Sequence, residues 1–372
     1  MLQAGTALAN MDRRAEAVIR FREAEHLARN QGDAPHRHRD MMVVASTTVQ
    51  AGICDEFTPL REDVRREFSG ERRGWTWVSF RMDDMRCQLD GKAPLEPGVL
   101  EADLAEFRTL APQLQAMGLV ALDVAMRLMF AVRFEASGRT DEAIELLREA
   151  VEGVEHAATT AQDPAEQARM FQGFGRVPFD LAILLLLQRG GPGDAEEALR
   201  LSERTRAIEL LNELGRKGIR VASRSLPRGL MDRQEGVMGR LALARAERTR
   251  LDLELPWEDQ RLAVADKRVE DAEAELASFA EEVWRTQPLY ASVRFPRPLD
   301  MGRIPLSPDE LLVEYRLLPG GQFVVWLVDD GQATGRPRVL RARKVQLGPE
   351  VLDEVRRVRE WQSAPRRDRR DA

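Results

Sequence analysis

The sequence predicts a mostly α protein: a helical-repeat solenoid, then a long helical hairpin, then a small, incomplete α/β segment. Three observations carry this reading. Apolar residues recur at helical spacing over most of the first 290 positions. Between 258 and 285 a seven-residue apolar period takes over. Strict alternation, the mark of a strand, begins only at Leu311. The expected divisions are 1–229 for the repeats, 230–287 for the hairpin, 288–361 for the α/β segment and 362–372 for a disordered polar tail.

The repeats come first. In "GTALANMDRRAEAVIRFREAEHLAR", residues 5–29, Gly5 and Leu8 fall on one helix and Ala17, Phe21 and Ala24 on the next. Small residues at Gly5, Ala17 and Ala24 let two helices approach, and Leu8 and Phe21 fill the space left. This spacing resembles the tetratricopeptide repeat (TPR), a helix pair of about 34 residues. A second copy spans 131–155, with Ala131, Phe134 and Gly138 on the first helix and its turn, and Ala143, Leu147 and Ala150 on the second. Gly138 suits a helix C-cap and Thr140 the next N-cap. A fainter copy runs from Phe179 to Leu214, with Ala198, Ser202 and Thr205 at the matching offsets. Between 39 and 130 helices continue as degenerate repeats. Further helix starts are marked at Asp163-Pro164-Ala165-Glu166 and at Asp194-Ala195-Glu196-Glu197. The "GGPG" before Asp194 lacks the Gly-Lys-Ser/Thr ending of a phosphate loop and follows a helix, so it reads as an inter-helix loop. No polar cap precedes Gly5, so this end is expected to dock on something or to continue upstream.

In the hairpin, Leu262, Val269, Leu276 and Val283 form a narrow seam of coiled-coil type. Its partner helix runs to Leu255, and Pro256 can open the next helix after a short turn. The dense Arg, Glu and Asp content reads as a solvated face.

The sheet follows. "SPDE" at 307–310 has the form of a helix N-cap box, yet Leu311, Val313, Tyr315 and Leu317 alternate with Leu312, Glu314 and Arg316. Pro319-Gly320-Gly321 is turn chemistry. Phe323 to Val328 is apolar throughout, so both faces of that strand are expected to be buried. A third strand is expected at 338–345 and a helix at 348–361. One short helix covers only part of one side of such a sheet, so the segment is expected to be incomplete, with self-association through the sheet as one consequence.

Composition bounds function. A net charge of −6 gives no reason to expect nucleic acid or an anionic membrane as partner. Arginine dominates the bases, with lysine only at Lys92, Lys217, Lys267 and Lys344, which reads as coding bias. Met1 to Asn10 lacks the form of a signal peptide. The longest apolar run, "FDLAILLLLQ" at 179–188, is about half of the ~20 residues a membrane span needs and reads as a buried helix. Two cysteines, Cys54 and Cys87, suggest no disulfide framework and a reducing, cytoplasmic compartment.

"ALRLSERTRAIELLNELGRKG" (198–218) resembles the last repeat helix of TPR proteins that carry a CHAT domain, and "PLYASVRFPRPLDMGRIPLSPDELLVEYRLLPGGQFVVWLVDDG" (288–331) is similar to the opening of the CHAT domain itself. The resemblance implies the N-terminal part of a caspase-like α/β peptidase domain whose catalytic His and Cys lie at later strand ends, under control of a partner on the repeats. Here the histidines are His26, His36, His38 and His156, and none, like neither cysteine, lies after residue 288. No catalytic residue is carried over.

The expectation is therefore a protein-interaction scaffold of helical repeats attached to a truncated CHAT-like domain, without peptidase activity as it stands. The alternative is a fragment of a cysteine peptidase whose catalytic pair lies beyond residue 372. Cys54 beside Asp55 and Glu56 lacks the electropositive setting of a reactive thiol, and Cys87 likewise sits near acids. His36 and His38, two apart, do not share a helix face as metal ligands would. No metal or cofactor is expected. Trp75 and Trp77 beside Arg72 and Arg73 form a candidate peptide-binding surface, weighed against plain core packing of the indoles. The expected partner is a protein or peptide on the concave face of the repeats.

Overall fold

In the computed structural model the chain divides into two compact units, residues 1–162 with 222–290, and residues 163–221 with 291–372. The structure describes residues 1–32, 34–67, 75–90, 98–160, 175–216, 227–253, 259–295, 310–329 and 338–346, with a few single positions outside these stretches. Described residues of the first unit form α1 (Leu2–Asn10), α2 (Arg14–Arg29), α3 (Ala34–Gln50), α4 (Thr58–Glu67), α5 (Trp75–Asp90), α6 (Val99–Ala116), α7 (Val120–Ala136) and α8 (Thr140–Thr160). Described residues of the second unit form α9 (Val177–Arg189) and α10 (Asp194–Arg216). Helices α11 (Arg228–Leu253) and α12 (Asp259–Thr286) return to the first unit, and α13 (Pro288–Arg294) runs across the division. Strands β1 (Leu312–Leu318), β2 (Gln322–Asp329) and β3 (Arg338–Gln346) also belong to the second unit. The protein is thus mostly helical, with one small antiparallel sheet. The pair α9–α10 groups with the sheet, not with the helices that precede it in sequence.

In the first unit the small-residue logic holds. A Cβ on Gly5 would lie 2.8 Å from the Phe21 ring, so α1 approaches α2 only because Gly5 has no side chain. Ala17, Phe21 and Ala24 are buried, and Phe21 meets Phe57 edge-on at 6.1 Å. One turn recurs between helices. Asp12, Gly52, Gly118 and Gly138 take positive φ. In each case the next N–H bonds to the carbonyl five residues back: Arg13 to Leu8, Ile53 to Thr48, Leu119 to Leu114 and Arg139 to Phe134, at 2.8–2.9 Å. This is the Schellman closure of a helix C-terminus. Thr140, expected as an N-cap, instead donates its hydroxyl to the Glu135 carboxylate at 2.9 Å.

The hairpin α11–α12 follows its heptads. Leu262, Ala265, Val269, Ala272, Leu276, Phe279 and Val283 are all buried, which fills both a and d positions. Its charged side chains form an exposed face and pair across the hairpin. Arg233 pairs with Glu282 (2.7 Å), Arg240 with Glu275 (2.5 Å) and Arg268 with Glu247 (2.7 Å), in one constant antiparallel register.

The cysteines depart from expectation. Cys54 and Cys87 form a disulfide, with Cα atoms 5.9 Å apart. Cys54, four residues past the end of α3, and Cys87, late in α5, meet because α3 packs on α5, an approach that spacing alone does not announce. Two bonded half-cystines remove the ground for inferring a reducing compartment from unpaired thiols.

In the second unit the sheet order is β1-β2-β3, antiparallel throughout. The expectation that β2 is buried on both faces is corrected. Val324, Trp326 and Val328 are fully buried, whereas Phe323, Val325 and Leu327 are only half-buried. Cover comes from one side: α9 and α10 form a hairpin in contact with the sheet. The apolar run 179–188 is α9 itself, with Phe179, Ala182, Ile183 and Leu186 in the core. Among the described residues no helix is long and apolar enough to cross a membrane. Of the helix expected at 348–361, Glu350, Val351, Asp353 and Arg357 are helical, and most of the rest lies outside the described residues.

Candidate functional site

The strand register sorts the sheet into two faces. On the inner face Arg316 lies opposite Val324, and Glu314 opposite Trp326. Arg316 is 5% exposed and would be costly there unpaired. Its guanidinium donates to Asp180 Oδ1 of α9 at 2.7 and 3.1 Å and to the Ser202 carbonyl of α10 at 3.4 Å. Arg176 donates to the other Asp180 oxygen at 3.0 Å. Arg206 of α10 pairs with Glu314. Glu203, half-buried near Glu314, has its carboxyl pushed up by desolvation and by that like charge, with Arg206 and Arg316 opposing. The inner face is therefore both apolar and ionically pinned to α9–α10.

The outer face is built from three cross-strand rows: Val313–Leu327–Arg341, Tyr315–Val325–Arg343 and Leu317–Phe323–Val345. Val313 is 52% exposed and Tyr315 59%. The Tyr315 and Phe323 rings stack diagonally at 5.6 Å. The result is an apolar patch on β1 and β2 bordered by two exposed arginines on β3. Exposed contiguous apolar surface of this kind marks interaction sites.

The two edges of the sheet differ. The Tyr315 carbonyl of β1 accepts a hydrogen bond from Arg206, and the Leu317 carbonyl accepts one from Arg176 at 3.1 Å. Two arginines thus occupy acceptors along the β1 edge. On β3, Arg341, Arg343, Lys344 and Val345 are exposed.

Of the tryptophan–arginine candidate, the structure describes the side chain of Trp77 alone. Trp77 is 3% exposed and packs on Phe80 at 5.7 Å, inside the core of the first unit. Arg72 and Arg73 and the Trp75 side chain lie outside what is described. His26 is exposed on α2 and bonds with Asn30, while His156 of α8 sits 3.5 Å from Glu273 of α12. His36 and His38 lie on α3. Among the described residues no group of three His, Cys, Asp or Glu side chains is placed to hold a metal ion.

Sequence reasoning missed Asp180, Arg206 and Arg316 as the pins of the sheet. A signal was present: Asp180 is the lone carboxylate in an apolar helix, which calls for a buried cation. No protein-family model, characterised protein or solved structure matches this chain.

Proposed function

We propose that the protein is an interaction scaffold: TPR-like helical pairs attached to the front part of a CHAT-like domain, with the outer sheet face receiving a partner protein. One observation carries the reading. The same three strands have an inner face closed by α9–α10 and an outer face on which Val313 and Tyr315 stand more than half exposed. Each such side chain is already about half covered, so covering the rest contributes roughly half of the 1.5–3 kcal/mol that full burial of an apolar side chain supplies, an energy available to association. Among the described residues no strand pairs with the far edge of β3, which favours a second reading, in which the sheet is the opening of a caspase-like peptidase domain and the covering layer belongs to the same polypeptide.

The test makes the face the variable. The whole chain and a Val313→Glu/Tyr315→Glu variant serve as parallel baits, with circular dichroism checking that both fold. A defined set of proteins held by the first and lost by the second is expected. Identical captures would overturn the scaffold reading.

A further inference from the structure

We propose that β3 is a docking edge for an extended acidic segment of a partner protein, which joins the sheet as a fourth strand. This rests on the scaffold reading and deepens it by naming the edge and the partner's chemistry.

The sheet is not free to grow in both directions. Along β1 the Tyr315 and Leu317 carbonyls already accept from Arg206 and Arg176, so a strand arriving there would have to displace two arginines, one of them also paired with Glu314. β3 is the opposite edge, and its described side chains at 341 and 343–345 are exposed. Main-chain pairing at an open edge supplies affinity, and the side chains on either side of the ladder supply selectivity.

The selectivity here is electrostatic. Arg341 and Arg343 are two residues apart, so both stand on the outer face beside the apolar patch. On a neighbouring strand the side chains directly opposite lie about 4.5–5.5 Å away between Cβ atoms, close enough for ion pairing. Two acidic residues at the same two-residue spacing meet both arginines. An apolar residue two positions further, on the side towards Val345, continues the patch. Lys344, on the other face, adds a third positive charge to the edge.

The same charges decide against a second copy of this chain. An antiparallel β3–β3 pairing centred on Ala342 sets arginine against arginine, and like charges directly opposite are unfavourable. Cationic edge strands also shield natural sheets from aggregation. Shielding alone gives an edge that binds no strand at all, so binding separates the two roles.

The experiment uses the full chain and three fluorescein-labelled ten-residue peptides: glutamates alternating with valines, lysines alternating with valines, and the glutamate peptide with its valines replaced by prolines. Fluorescence anisotropy is read at low and moderate salt. The expected result is binding of the glutamate peptide alone, with slowed amide exchange in β3. Arg341→Glu/Arg343→Glu, both at exposed positions, is expected to weaken that binding at least tenfold and to admit the lysine peptide. No binding of the glutamate peptide, binding that survives the prolines, or binding indifferent to the charge reversal would each overturn the proposal. If the peptides fail while face-dependent capture by Val313 and Tyr315 persists, the fourth-strand inference falls and the scaffold reading stands.

Discussion

The two compact units handle apolar surface in opposite ways. In the first, the long hairpin buries every a and d residue from Leu262 to Val283 and flanks the seam with registered ion pairs. The same unit carries the Cys54–Cys87 cross-link and a buried charge cluster on α4, α5 and α6, in which Arg61 donates to Asp84 at 2.6 Å and Arg81 pairs with Asp84 and with Glu106. In the second, the sheet closes one face and leaves the other half-wet. Helices cover each other symmetrically, because each brings one stripe. A three-stranded sheet brings two faces, and a single helical hairpin covers one. The lesson is that an open surface arises here from layer arithmetic, not from weak patterning.

The largest expected effect breaks the symmetry of β2. Trp326→Ala removes a fully buried indole, and such a deletion costs about 3–5 kcal/mol. Tyr315→Ala, one strand away on the outer face, is expected to cost well under 1 kcal/mol, as surface changes do. Amide exchange across β1–β3 reads both. Equal effects would mean the outer face is as closed as the inner, and the contrast between the units would vanish.

How much of this was legible depended on whether a feature is periodic. The α12 seam was, since one residue in seven suffices to mark it. The three strands and the Pro319-Gly320-Gly321 turn were, because alternation and turn chemistry are local. The facing of β1 was not. Its apolar set, Val313 and Tyr315, points outward, while Glu314 and Arg316 point inward to Arg206 and Asp180. A strand's phase is ordinarily read from polarity, and here a partner carboxylate over 130 positions away inverts it. The disulfide was illegible for a similar reason: two cysteines 33 positions apart pair only because helices unrelated in local pattern bring them together.

That cross-link gives the next effect in size. Closing a loop of 33 residues is worth about 3–4 kcal/mol in the chain-entropy account. Reduction, or Cys54→Ser/Cys87→Ser, is expected to lower the unfolding free energy of the first unit by about that amount and to leave exchange in β1–β3 of the second unchanged. Thermal or urea unfolding with and without reductant reads the first part. A reduced protein as stable as the oxidised one would show that the first unit is closed by its packing alone.

The smallest effect concerns the buried charges, and its sign runs against ordinary acid unfolding. Asp103 of α6 is 7% exposed. Burial pushes its carboxyl up to about 6 from a usual 3.8; Arg81, 3.7 Å away, opposes the rise, and Asp84 and Glu106 add to it. Folded protein therefore keeps this proton at pH values where the unfolded chain has lost it. The stabilisation is complete below about pH 3.8, declines as pH rises, and is gone above about 6. The difference amounts to about 3 kcal/mol at most. Asp103→Asn stays neutral at every pH and so removes the titration. The stability of the native protein minus that of the variant is expected to fall between pH 4 and 7, as read by urea midpoints at fixed ionic strength. The other charged groups of the cluster remain in both proteins, so their contributions largely cancel in that difference. A difference that stays flat or rises with pH would mean that Arg81 holds Asp103 ionised throughout, and that the first unit closes its charges as completely as its apolar seams.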